Sequence, residues 1–137
     1  MASRKLTTSL LGSLVSAMLL AGCASSGGYS SSSEPLTGPE IEAVLTGNSI
    51  SGEQWDGPFT VYFPTYGKML GVRSTHYRDS GTWRVEEESL CAKWDDWWGG
   101  VENCWSVYLD GTTINWRRPD SDTTANAELR EGNPAGL

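Results

Sequence analysis

The chain contains few of the side chains that usually carry catalysis or bind metals. Among its 137 residues there are one histidine, His76, and three cysteines. Zinc usually takes four ligands, and Cys91, Cys104 and His76 supply only three. The acidic segments also lack the D-x-[DN]-x-[DN]-G spacing of a calcium loop. The adjacent carboxylates Asp95 and Asp96 rarely point the same way, as acid–base catalysis would require. We therefore predict that the protein is not an enzyme and uses no metal or other cofactor.

Basic residues are also scarce. Ten lysines and arginines stand against 17 acidic residues, which gives a net charge of −7. Such a surface repels nucleic-acid phosphates, so we predict no nucleic-acid partner. No polybasic cluster is present to attract anionic lipid headgroups. Contact with a membrane would then have to come from a covalent lipid.

The sequence lacks an apolar run of the roughly 20 residues that span a bilayer. Its longest candidate, residues 6–20, follows Arg4 and Lys5 and is mostly apolar or small. A short apolar core after a positive region is typical of a secretory signal peptide. We therefore expect the chain to be exported.

This stretch ends in Leu20-Ala21-Gly22-Cys23, which resembles the lipobox of bacterial lipoproteins. The resemblance implies that residues 1–22 are a cleaved signal peptide and that Cys23 becomes the lipidated first residue. Two acyl chains are enough for stable anchoring. Since residue 24 is alanine rather than aspartate, the resemblance implies an outer-membrane anchor, with the domain on the periplasmic face of the cell envelope. The alternative is an ordinary signal peptide with an unmodified cysteine.

Composition divides the rest of the chain into three parts. Residues 23–35 are rich in glycine and serine, which predicts a flexible linker after the lipidated cysteine. Residues 119–137 are polar, with Leu129 and Leu137 as the only large apolar side chains, and we predict a disordered tail. Residues 36–118 are left as one small β-rich domain, of a size that often carries a covalent staple.

The domain begins with a predicted short helix. Thr37 and Glu40 have the spacing of a capping box, and Gly47 is a natural C-terminal stop. After Asn48, short runs of alternating apolar residues are separated by turn residues, which predicts strands. We expect a mainly β fold: a small antiparallel meander closed as a barrel or packed as a sandwich, with six to seven strands and one short N-terminal helix.

The dipeptide Asp110-Gly111 lies between two alternating runs and predicts a two-residue hairpin loop. This register pairs Leu109 with Thr112, Val107 with Ile114, and Trp105 with Trp116. Facing aromatic residues contribute about 0.2–1 kcal/mol per pair. We therefore interpret the last pair as a brace within the core.

Two cysteines flank an unusual segment, LCAKWDDWWGGVENCW. If Cys91 faces Cys104 across an antiparallel pair, Leu90 faces Trp105 and both fall on the apolar face. Exported proteins oxidise such thiols. We therefore predict a Cys91–Cys104 disulfide that staples a hairpin, in agreement with the alternation of apolar residues.

The tip of this hairpin holds the candidate binding residues Asp95, Asp96, Trp97 and Trp98. Gly99 and Gly100 suit the turn that follows. Two adjacent tryptophans cannot both face the core of a strand, so at least one should be partly exposed, and exposed aromatics are enriched at binding surfaces. The alternative is that one ring folds back and plugs an open end of the barrel.

Four segments, LTGPEIEAVLTGN, YFPTYGKMLG, GTWRVEEESLCAKW and ENCWSVYLDG, together resemble a family of small exported proteobacterial proteins. These proteins are often lipoproteins and are classed as a domain of unknown function. The resemblance implies an exported β-rich domain and no particular activity. Gly81-Thr82-Trp83 also resembles the Gly-x-Trp motif of calycins, which are barrels that hold apolar ligands or inhibit proteases.

Three functions are consistent with these features. The leading hypothesis is a non-enzymatic envelope lipoprotein whose tethered β domain binds a protein or glycan partner through the hairpin tip. The first alternative is a calycin-like carrier of a small apolar ligand, with tryptophans lining a cavity. The second alternative is a periplasmic enzyme inhibitor.

Overall fold

A computed structural model describes residues 34–74 and 76–137 of the chain. The predicted signal peptide, the lipidated Cys23 and nearly all of the predicted linker lie outside the described residues. Among those that are described, none of the helical segments has the length and apolar composition needed to cross a bilayer.

One α-helix, α1 (Gly38–Leu45), precedes the strands. The Glu40 carboxylate accepts hydrogen bonds from the Thr37 hydroxyl at 2.7 Å and the Thr37 backbone N–H at 2.8 Å, in agreement with the predicted cap. These bonds hold the pKa of Glu40 below its usual value. Ile41 and Leu45 are almost fully buried, and the backbone N–H of Leu36 donates to the Val107 carbonyl. The helix therefore closes one end of the sheet.

Eight antiparallel strands form a closed barrel in which each strand pairs with the next and the last returns to the first. The strands are β1 (Ser49–Gln54), β2 (Gly57–Thr65), β3 (Lys68–Arg73), β4 (Tyr77–Glu86), β5 (Ser89–Trp94), β6 (Asn103–Asp110), β7 (Thr113–Arg117) and β8 (Thr124–Arg130). The predicted mainly β fold is thus confirmed. Of the two architectures left open it is the barrel, and it has eight strands where six to seven were predicted.

The eighth strand lies inside the segment that we predicted to be a disordered tail, so that prediction is corrected for residues 124–130. β8 pairs with β7 and also with β1, where Ile50 faces Leu129. Its apolar positions are mostly alanines, Ala125 and Ala127, which give a weak periodic signal. Because β8 has a partner strand on both sides, ladder hydrogen bonds stabilise it where side-chain burial contributes little.

The predicted register of the β6–β7 hairpin is wrong by two residues. Leu109 faces Ile114, Val107 faces Trp116, and Asp110 pairs with Thr113. The loop is therefore Gly111 and Thr112. Gly111 has a φ of +60°, which suits hairpin turns that take glycine first. Trp105 and Trp116 do not face each other, so they form no brace.

The register of the β5–β6 hairpin is confirmed. Cys91 faces Cys104, Leu90 faces Trp105, and Ala92 faces Asn103. The two sulfurs form a disulfide that joins residues 13 positions apart. This bond lies on the outer side of the barrel wall, opposite the face that packs inward.

The barrel interior is filled with side chains. Phe63 packs edge-on against Trp83 with ring centroids 5.6 Å apart, and Trp83 and Met69 are each 2% exposed. A Cβ atom at Gly71 would lie 2.6 Å from ring carbons of both Trp94 and Trp97. These contacts leave no room for even a methyl group at this level of the barrel.

Replacement of both cysteines, Cys91→Ser with Cys104→Ser, should lower the free energy of unfolding by about 3 kcal/mol, because a loop of this length no longer restricts the unfolded chain. Urea denaturation followed by tryptophan fluorescence measures the loss. Reductant should lower the stability of the wild type to a similar degree and leave the variant unchanged. Equal stability of the two proteins would contradict a structural role for the bond.

Candidate functional site

The predicted hairpin tip forms the connection between β5 and β6. It contains a short 3₁₀ turn, η1 (Trp97–Gly100), at the end of the barrel opposite to α1. The two neighbouring tryptophans have different environments: Trp97 is 3% exposed and Trp98 is 48% exposed. One ring therefore plugs the barrel and the other faces solvent, so each alternative drawn from the sequence describes one of the two residues.

The backbone separates the two rings. Trp98 has φ 54° and ψ 32°, in the left-handed region, and Gly99 and Gly100 continue there with φ of 70° and 65°. A left-handed conformation costs a residue with a Cβ roughly 1–2 kcal/mol. Such strain in a bulky residue is uncommon and often lies at a functional site. Trp98 is thus held outward at a cost in stability.

Trp97 closes the end of the barrel by packing on aromatic neighbours. Its ring centroid lies 4.4 Å from that of Trp94 and 6.0 Å from that of Tyr77, with the Tyr77 ring stacked on it. The absence of a Cβ at Gly71 allows the Trp97 ring to reach this depth. Trp97 is therefore part of the core.

Arg73, at the end of β3, connects the surrounding loops. Its guanidinium carbon lies 5.1 Å from the ring centroids of both Trp97 and Trp98. The same guanidinium forms an ion pair with Asp56, in the β1–β2 turn, and both side chains are mostly buried. Cation–π contacts are stronger where water is excluded. Arg73 therefore positions Trp98 relative to the neighbouring turn.

Asp79 anchors the other side of the η1 connection. Its carboxylate accepts the backbone N–H groups of Asp96 at 3.1 Å, Trp97 at 2.8 Å and Ser80 at 2.9 Å. The Ser80 hydroxyl donates to Asp95 at 2.6 Å. Bonds from N–H groups to a carboxylate are stronger than neutral ones. They hold the turn in a single position beside a shallow cleft of about 400 Å³.

Exposed hydrophobic side chains are concentrated at this end of the barrel. Of the five large ones in the described residues, four lie in or beside its loops, and we call these four the aromatic rim: Trp55 (89% exposed), Tyr77 (55%), Trp98 (48%) and Val101 (60%). The fifth, Tyr66, lies at the α1 end. Large exposed apolar side chains concentrated on one part of a domain commonly mark an interaction surface.

Sequence reasoning found only one member of this rim, Trp98. Sequence reasoning missed Trp55. The feature that could have indicated it is a single tryptophan within an otherwise polar turn, Gln54-Trp55-Asp56-Gly57. This reasoning also missed Tyr77, which begins β4 and is adjacent in sequence to His76. Asp95 and Asp96 are both exposed, as a binding role requires.

One group of metal-ligand side chains lies within 4.8 Å of one another in the described ranges: Glu86, Cys91 and Cys104. Both sulfurs belong to the disulfide. A metal takes cysteine as the free thiolate, so this group does not form a binding site.

Comparisons of the chain with protein-family models, with curated proteins and with solved structures find no match. The aromatic rim is therefore the feature of this protein that indicates a function.

The two tryptophans should respond differently to substitution. Trp97→Ala removes a buried ring and should cost about 3–5 kcal/mol of unfolding free energy. Trp98→Asn should cost about 1 kcal/mol or less, since asparagine tolerates the left-handed conformation and half of the ring is already in water. Urea denaturation measures both. Equal losses would contradict the division into one core ring and one surface ring.

Proposed function

We propose that this protein is a non-enzymatic lipoprotein of the cell envelope, anchored in the outer membrane through Cys23, whose barrel domain binds a protein or glycan partner. The observation that carries the binding role is the aromatic rim. Four exposed hydrophobic side chains, in or beside three loops, lie at one end of the barrel, and tryptophan and tyrosine are among the residues most enriched at binding hot spots. Contact of these side chains with water is unfavourable, and a bound partner would remove it.

The path of the chain is compatible with a tethered binding domain. The linker would lead into Leu36, which lies at the α1 end, where its N–H bonds to β6. The aromatic rim lies at the other end of the strands, and a strand of six to eight residues spans about 20–27 Å. A lipid attached ahead of the helix would thus leave the rim accessible.

A carrier of apolar ligands is less well supported. The interior holds Phe63, Met69, Trp83 and Trp94, all at most 7% exposed, and small barrels of this kind are usually filled by side chains. The Gly-x-Trp likeness does not alter this, because the indole N–H of Trp83 donates to the Lys68 carbonyl at 2.8 Å inside the packed barrel. An inhibitor that inserts its rim into an enzyme is one form of the proposed binding role.

The anchor is tested by the intact mass of the mature protein extracted from membranes. We expect a chain that begins at Cys23 and carries the added mass of a diacylglycerol and an amide-linked acyl group. A mature chain of unmodified mass, or one cleaved elsewhere, would overturn the proposed tether. The binding surface does not depend on this result.

The binding surface is tested by photocrosslinking in intact cells. A photoreactive phenylalanine analogue replaces Tyr77 or Trp98 in the rim, and Tyr66 serves as a matched control because it is an aromatic residue of similar exposure at the opposite end. We expect a discrete adduct from the two rim positions and none from Tyr66. Protease digestion then distinguishes a protein adduct from a glycan adduct.

The rim assignment fails if Tyr77 and Trp98 give no adduct, or if Tyr66 gives the same adduct. A partner bound through the rim should also be lost when Trp55→Ala and Trp98→Ala are combined, since most of the exposed aromatic area is then removed.

A further inference from the structure

The loops at the rim end carry an excess of negative charge. These are the β1–β2, β3–β4, β5–β6 and β7–β8 connections, which alternate around the same end of the barrel. These four connections contain one arginine, Arg118. They also contain six acidic residues: Asp56, Asp95, Asp96, Glu102, Asp120 and Asp122. The rim is therefore a set of exposed hydrophobic side chains, three of them aromatic, on loops that carry an excess of acidic residues.

Part of this charge is already neutralised. Asp56 pairs with Arg73, Glu102 with Arg84 at 2.8 Å, and Asp120 with Arg118 at 3.4 Å. The bond to Arg84 holds the pKa of Glu102 below its usual value, so this pair stays ionised.

Asp95 and Asp96 differ from these paired carboxylates. In the part of the chain that the structure describes, neither has an ion-pair partner within 4.0 Å. Both are exposed and immediately precede the two tryptophans. Asp79, Asp95 and Asp96 all line the shallow cleft beside the η1 connection, and Arg78 is the basic residue in its lining. Three carboxylates against one arginine leave the walls of the cleft with a net negative charge.

One ring of the rim, Trp98, already contacts a cationic side chain of the protein itself. The guanidinium of Arg73 lies 5.1 Å from the Trp98 centroid while it pairs with Asp56. This is a cation held jointly by an indole and a carboxylate. Asp95, Asp96 and Trp98 are all exposed in the same β5–β6 connection. This connection therefore presents an indole and two carboxylates to solvent, and indole faces attract cations.

We propose that the aromatic rim binds a lysine- or arginine-bearing segment of a protein, with the cationic side chain received by Trp98, Asp95 and Asp96. This inference rests on the proposed binding function and narrows its partner. An anionic partner meets repulsion at this surface, and a neutral glycan can hydrogen-bond to the two carboxylates but gains no charge attraction from them. Complementary charge also increases the association rate, which distinguishes such a partner in kinetic measurements.

The probes are a 12-residue peptide with three lysines and two leucines, and the same peptide with every lysine acetylated. Binding to the full chain in non-ionic detergent is measured by calorimetry. We expect binding of the lysine peptide alone, weakened at least about fivefold between roughly 20 and 300 mM salt, since screening of exposed charges is strong over this range.

Asp95→Asn combined with Asp96→Asn should weaken binding of the lysine peptide at least about fivefold, because two attractive charges beside the peptide are lost. The matched control is Glu42→Gln combined with Glu88→Gln, which removes the same net charge at the α1 end and should leave binding unchanged. Trp98→Asn should weaken binding while salt dependence persists.

Three results would overturn the inference: no binding of the lysine peptide up to about 1 mM, which corresponds to less than about 4 kcal/mol of binding free energy; equal binding of the acetylated peptide; or equal losses in the two charge variants. A neutral N-acetylglucosamine tetramer is the contrasting probe. If it binds and the binding requires Trp98 but neither aspartate, a glycan partner is indicated. The proposed function then stands and only the cationic partner is refuted. Failure of the proposed function itself appears in the photocrosslinking experiment as an absence of rim adducts.

Discussion

The pairing of β1 with β8 is the constraint on which this structure depends. A meander of eight short strands has two edges until its first and last strands meet, and the contact between Ile50 and Leu129 joins them. Closure removes both edges, which is the reason barrels resist edge-to-edge association. It also creates two open ends, and each end must then be covered by something other than a strand.

The two ends are covered in different ways. Helix α1 covers one with an aliphatic face that includes Ile41 and Leu45. The η1 turn covers the other with a single ring, Trp97, held by Asp79 from outside and by Trp94 from within. A helix buries its apolar face almost completely, whereas a four-residue turn cannot do so. The hydrophobic surface left over at the turn becomes the aromatic rim, so the candidate site is a result of how the barrel is sealed.

Sequence reasoning succeeded where local chemistry is strong. The Thr37–Glu40 cap and the Cys91–Cys104 register followed from spacing, because capping boxes and facing cysteines each demand one geometry. It failed at β8, where Ala125 and Ala127 are too small to produce a clear alternation and the stabilising partner, β1, lies more than 70 residues earlier in the chain. It also misplaced the β6–β7 loop, because Asp110 extends the strand where a turn was expected.

The candidate site could be predicted only in part for a similar reason. The exposure of Trp98 depends on a left-handed backbone conformation that sequence does not favour at a tryptophan. Arg73 joins the β1–β2 and β5–β6 connections through its ion pair with Asp56 and its ring contacts with Trp97 and Trp98. Tyr77 reaches the rim by stacking on Trp97. These contacts join residues that are distant in the sequence, so no short sequence pattern predicts them.

The position of the disulfide has a consequence for when the rim exists. Cys91 and Cys104 belong to the two strands that flank the η1 connection, so the bond fixes both ends of the loop that carries Trp98. Thiols remain reduced in the bacterial cytoplasm and pair after export. If the chain is exported as proposed, a newly made chain has this loop joined only by strand pairing until it leaves the cytoplasm. Oxidation is then a maturation step that completes the rim only after export.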